Sequence, residues 1–240
     1  MAVVFVAAAG TIVPSASAKP SLIEPKLTFA RGQSASPEVA LTLDACGGKA
    51  DSRILAGLVA NHIPATIFVT AKWLSRNPAV VAILKAHPEL FEIENHGARH
   101  LAAIDRPMCV YGVKAAGSAA SVTSEVEDGS KAIIAATGHV PHWFRGATAK
   151  YTPSSVALIG MLHERIAGYS IAADGGALLG EKATAQRIAN ARDGDVILAH
   201  VNQPKRPAGA GVVEGMLELR AKGFRFVTLS EAIPARHHGR

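Results

Sequence analysis

Short runs rich in β-forming residues alternate with helix-patterned segments along most of this chain, and that alternation restricts the fold more than any other feature. Strands are expected at Val39–Leu43, Ala65–Val69, Phe91–Glu94, Trp143–Phe144, Ile166–Ile171, Val196–Ala199 and Phe224–Leu229. Helical patterns fill the intervals. Asp51 can cap a helix whose apolar positions Ile54, Leu55, Leu58 and Val59 share a face, and Asn77-Pro78 opens another. Ser124 with Glu127 has capping-box spacing ahead of Ile133 and Ile134. Further helices are expected over Pro153–His163, Glu181–Arg192 and Ala210–Lys222, the last stopped by Gly223. Strands that alternate with helices in this way pair in parallel, as an open sheet or as a closed barrel.

The polar residues separate those two options. Asp44, His96, Arg145, Asp174 and His200 each lie within a few residues of the C-terminal end of a different expected strand. In a parallel α/β barrel those ends converge on one face, where such folds place their chemistry. No glycine-rich phosphate loop follows the first strand, which argues against a nucleotide-binding open sheet. The expected fold is therefore α/β, a (β/α) barrel of about seven parallel strands.

Composition narrows the partners. At 240 residues with 49% hydrophobic side chains the chain can bury a full core, which excludes disorder. A net charge of +6 would suit an acidic partner, yet aromatic residues are only 5% and the basic residues are scattered. That argues against nucleic acid and suits an anionic envelope surface or polymer. Met1–Ala18 is uncharged, apolar from Ala2 to Ala9, and closes with Ala16-Ser17-Ala18, a pattern that resembles a secretory signal peptide. The stretch is too short for a lasting membrane span. The expected layout is a signal segment over 1–18, a lead-in over 19–37, a barrel domain over 38–233 and a basic tail over 234–240. Such a chain would be exported, to the periplasm or beyond the cell.

His96 and His100 stand four residues apart after an apolar strand. If a helix follows His96, both rings point the same way and can hold one divalent metal; otherwise they are two surface histidines. Asp44 sits at a strand mouth ahead of Gly47 and Gly48, which let the backbone turn sharply. His200 ends an apolar strand, as a general acid or as a core histidine. Arg145 can orient Asp44 and lower its pKa, or form a surface ion pair. Asp174 can orient His200 or serve an Asp-Gly turn. Cys46 and Cys109 can form one disulfide in an oxidising compartment, Cys46 can instead ligate a metal, or both are buried thiols without a role.

Taken in order, these segments resemble the motifs of the polysaccharide deacetylase family, the carbohydrate esterases with the NodB homology domain, over about Glu38 to Leu229. The first motif, Thr-Phe-Asp-Asp-Gly in the family, reads Thr42-Leu43-Asp44-Ala45-Cys46, and His-x-x-x-His is His96 to His100 after Asn95. The third matches Arg145 with Tyr151, the fourth lies loosely around Tyr169 to Asp174, and Leu-x-His is Leu198-Ala199-His200. The resemblance implies a distorted (β/α) barrel that removes acetyl groups from N- or O-acetylated polysaccharide or oligosaccharide. It makes Asp44 the base, His200 the acid, Arg145 the partner of Asp44 and Asp174 that of His200. His96 and His100 become ligands of a divalent metal, zinc first. Trp73, Trp143 and Tyr151 are the rings available to stack on a sugar.

One departure stands out: Ala45 replaces the family's aspartate ligand. Asp44 could then move onto the metal, Cys46 could ligate it as thiolate, or binding could be weak or absent. Two other readings follow, a hydrolase of carbon–nitrogen bonds that works without metal, and a carbohydrate-binding protein on a decayed enzyme fold.

Overall fold

The computed structural model describes residues 21–30 and 34–234. The expected signal segment and all of the tail after residue 234 lie outside these residues. The first strand, β1 (Glu38–Ala45), is buried along its whole length, as a central parallel strand covered on both faces should be. Its alternation sorts the core. Val39, Leu41, Leu43 and Ala45 pack outward with Ile54, Leu58, Val212 and Met216 of the surrounding helices, whereas Ala40 packs inward with Phe68, Val196 and Leu198. The two-residue period puts Thr42 and Asp44 on that inner side.

The other elements follow in chain order: α1 (Ser52–Ala60), β2 (Ala65–Val69), α2 (Ala71–Arg76), α3 (Pro78–Ala86), β3 (Phe91–Asn95), β4 (Cys109–Val110), β5 (Val113–Lys114) and α4 (Ala119–Thr137). Then come β6 (Trp143–Phe144), α5 (Pro153–Met161), β7 (Arg165–Ile166), β8 (Ile171–Ala172), α6 (Glu181–Ala189), β9 (Asp195–His200), α7 (Ala208–Ala221), β10 (Arg225–Val227) and α8 (Leu229–Ala232). The main sheet runs β7-β6-β3-β2-β1-β9-β8, with β10 paired to the first residues of β1. Every pair in it is parallel. The short β4–β5 hairpin is separate and antiparallel.

The expected strand over Ile166–Ile171 is two strands. β7 pairs with β6 and β8 with β9, so the sheet opens between them and the molecule is a half-barrel. The carbonyls of Ala167 and Gly168, which would have continued a ladder, accept hydrogen bonds from Arg145 instead. Residues 21–30 cross this opening, with Leu27 N–H donating to Tyr169 and Phe29 N–H to Gly194. Gly168 permits that crossing, because a Cβ there would lie 2.3 Å from the Pro25 carbonyl oxygen.

Two helix starts repay comparison with their sequence signals. Asp51 caps α1 as expected, accepting from Arg53 N–H. α4, however, starts at Ala119, capped by Ser118 accepting from Ser121 N–H, so Ser124 and Glu127 lie inside it. Among the described residues no helix is long and apolar enough to cross a membrane.

Candidate active site

Asp44 and Arg145 meet inside the sheet. Arg145 is fully buried, and each of its three guanidinium nitrogens donates locally: Nη1 to Asp44 Oδ1 (3.0 Å) and Thr42 Oγ1 (2.9 Å), Nε to the Ala167 carbonyl (3.2 Å), Nη2 to that of Gly168 (3.0 Å). The guanidinium lies 4.3 Å from the centre of the Phe68 ring. Burial pushes the Asp44 carboxyl up, but His96, Arg145 and His200 outweigh it and hold the group below its ordinary value.

His200 stands beside Asp44 because the β1–β9 register pairs the two positions. Asp174 accepts from the His200 backbone N–H (2.7 Å) and faces its Nδ1 at 3.0 and 3.2 Å, while also accepting from Gly176 N–H (3.1 Å). The turn and the imidazole contact are therefore one arrangement. Burial pushes His200 down, but Asp174 and Cys46 overcome it and keep the ring well above its usual pKa.

The segment after His96 is a loop, not the helix that the spacing allowed. Gly97 (φ 87°) and His100 (φ 67°) take left-handed backbone, and the two imidazole centres come to 5.0 Å. His96 Nδ1 donates to the Arg145 carbonyl, which leaves Nε2 bare toward the cavity. That Nε2 lies 3.4 Å from Cys46 Sγ and 3.8 Å from Asp44 Oδ2. Burial lowers the His96 pKa, yet Asp44 and Cys46 raise it overall. Cys46 is likewise pushed up by burial and pulled well below a normal thiol by His96, His100 and His200.

Sequence reasoning missed the residue that shapes this loop. Glu125 of α4 is fully buried and accepts from the backbone N–H groups of Arg99 (2.8 Å) and Leu101 (3.0 Å). A carboxylate on the buried stripe Val122, Val126, Gly129 and Ile133 was its signal. Asn95 adds a second support, its Oδ1 accepting from Gly97 N–H and its Nδ2 donating to Glu164.

Asp44, Cys46, His96, His100 and His200 line one cavity of about 560 Å³, with Tyr111, Tyr169 and Leu178 among its walls. A larger groove of about 760 Å³ between α2, α3 and α4 has Lys85 as its one ionisable lining residue and offers no comparable chemistry. Three expectations are corrected. Cys46 and Cys109 are both free, Cys46 in the cavity and Cys109 exposed on the hairpin beside a different hollow. Tyr151 is fully buried, its hydroxyl accepting from Gly146 N–H (2.8 Å), so it braces the turn after Arg145. Trp143 and Trp73 are also buried, and none of these three rings reaches the cavity. Tyr111, 80% exposed, and Tyr169 are the rings that do.

The same fold occurs in solved structures. A CE4 family pseudoenzyme from Bacillus anthracis is 17% identical with a TM-score of 0.67; the match covers 82% of this chain and 66% of that one, so this chain spans about two thirds of its length. The peptidoglycan deacetylase PdaC of Bacillus subtilis is 21% identical (TM-score 0.68, 82% and 90% covered). PdaA of Bacillus subtilis, a family 4 carbohydrate esterase, is 17% identical (TM-score 0.68, 87% and 83% covered). No curated protein sequence matches this one significantly. The family model for polysaccharide deacetylase matches residues 31–162, more than half of the sequence. On that match, with the half-barrel fold beneath it, the chain belongs to the polysaccharide deacetylase family.

Proposed function

We propose that this chain is a hydrolase that removes acetyl groups from N- or O-acetylated polysaccharide, with Asp44 as base and His200 as acid. The observation that carries the reading is their pairing across β1 and β9 at the rim of one cavity, each with its own fixed partner. Arg145 holds Asp44 Oδ1, which leaves Oδ2 to take a proton from an attacking water. Asp174 holds His200 Nδ1, which leaves Nε2 to protonate the departing nitrogen or oxygen. Opposite pKa shifts suit the two roles, since the carboxylate stays ionised and the imidazole stays charged at neutral pH.

His96 and His100 would hold a divalent metal, zinc being the first expectation, because their ring nitrogens and Cys46 Sγ all lie within 4.8 Å of one another. Such an ion supplies Lewis-acid polarisation of the acetyl carbonyl and a lowered pKa for water. The uncharged Met1–Ala18 segment supports action outside the cytoplasm, and the +6 charge an anionic wall as the setting. A second reading, saccharide binding without turnover, draws on Ala45 at the family's ligand position.

The test is acetate release from N-acetylglucosamine oligomers and acetylated xylan by the purified chain, with chelator and with zinc or cobalt restored. Release that stops on chelation and returns with metal is the expected result. Release indifferent to chelator would make it a metal-free hydrolase, and saccharide binding without release would leave the second reading.

A further inference from the structure

The missing aspartate ligand has a physical explanation and a substitute. Ala45 belongs to the outward face of β1, fully buried with Leu41 and Leu43 against the helices, so this position does not serve the cavity at all. The next residue on the Asp44 side is Cys46. We propose that Cys46 Sγ completes a thiolate and bis-imidazole zinc site with His96 and His100.

Geometry argues for it. Tetrahedral zinc with sulfur at about 2.3 Å and nitrogen at about 2.0–2.1 Å separates those two atoms by about 3.6 Å. Cys46 Sγ and His96 Nε2 stand 3.4 Å apart. The His96 tautomer is already fixed with Nε2 free, because Nδ1 is committed to the Arg145 carbonyl. The backbone that carries the thiol is fixed as well: Thr70 Oγ1 donates to the Cys46 carbonyl (2.8 Å), Asn202 Nδ2 to that of Gly47 (2.8 Å) and Asn77 Nδ2 to that of Gly48 (2.9 Å). Asp44 competes only through Oδ2, because Oδ1 is tied to Arg145, and Oδ2 stands 3.8 Å from His96 Nε2, wider than the roughly 3.4 Å that nitrogen and oxygen on tetrahedral zinc would take. Sulfur as third ligand therefore keeps Asp44 for proton transfer. It also changes the preferred ion, since thiolate with imidazole selects zinc or cobalt over magnesium, calcium or manganese.

This inference rests on the reading of His96 and His100 as ligands but not on turnover. A chain that binds metal through sulfur and releases no acetate would keep the inference and lose the deacetylase reading. The experiment is cobalt(II) titration of the chelator-stripped, reduced chain. One equivalent should produce a near-ultraviolet sulfur-to-cobalt charge-transfer band. Cys46→Ser should lose the band and weaken binding about a hundred-fold or more, the upper end of what loss of a mere supporting group costs. Cys109→Ser should keep both. Thiol titration of the native wild-type chain gives an independent readout: one reactive thiol with zinc bound, two after chelation. Cobalt binding without the band, equal reactivity of both thiols in the zinc-loaded chain, or no binding would each overturn the proposal.

Discussion

Two halves of the cavity are built by different means. Asp44 and His200 sit on paired strands, where the β1–β9 ladder sets their spacing and a dedicated side chain holds each. Cys46, His96 and His100 lie at or beyond strand ends, where Glu125, Asn95, Thr70, Asn77 and Asn202 hold the backbone. The strand-borne half inherits its geometry from the sheet, and the loop-borne half depends on a few buried polar side chains. Changes that leave the sheet intact should therefore disturb metal binding far more than proton transfer.

The largest effect should come from the strand-borne half. Arg145→Met leaves Asp44 buried without its cation, and breaking a buried pair costs about 3–5 kcal/mol; chemical denaturation measures that loss. If the variant folds, Asp44 titrates at higher pH, so the acid limb of the rate profile moves up. Asp174→Asn comes next. Without its carboxylate His200 loses its proton at lower pH, the alkaline limb moves down, and turnover falls by about 10²-fold. Glu125→Gln should instead weaken metal binding about 10- to 100-fold and leave both limbs where they were; metal titration beside a pH–rate profile separates the outcomes.

A separate effect, on stability rather than on either half of the cavity, lies beneath the loop. Burial, reinforced by Glu94, pushes Glu164 up to about 8 against the opposing pull of Asn95 and Ser130. The folded chain therefore keeps a proton that the unfolded chain releases above its ordinary value of 4.5. Stability should decline as pH rises from 4.5 toward about 8 and then level off. Glu164→Gln should flatten that decline in urea midpoints measured across pH.

The same contrast governs what could be read from the sequence. Asp44, Arg145 and His200 could be grouped from the sequence because the C-terminal ends of parallel strands converge on one face, where such folds carry chemistry. The loop half was only partly legible. Four-residue spacing allowed a helix over His96–His100, but Gly97 and His100 adopt left-handed backbone, in a loop whose Arg99 and Leu101 N–H groups are held by Glu125 of α4, 24 to 26 residues further along the chain. Trp143 and Tyr151 misled for a different reason. An aromatic ring beside a motif has enough apolar surface to fill the core, and both do. Two cysteines suggested a bridge, yet their separation depends on where the hairpin carrying Cys109 packs, which no local pattern reveals.

The most direct test measures bound metal and acetate release on the same preparations of wild type, Asp44→Asn and His96→Ala. Asp44→Asn should bind metal at wild-type stoichiometry and release acetate about 10²- to 10⁴-fold more slowly, while His96→Ala should lose both. Loss of metal in Asp44→Asn, or undiminished turnover there, would contradict the division of the site into a strand-borne base and a loop-borne metal centre.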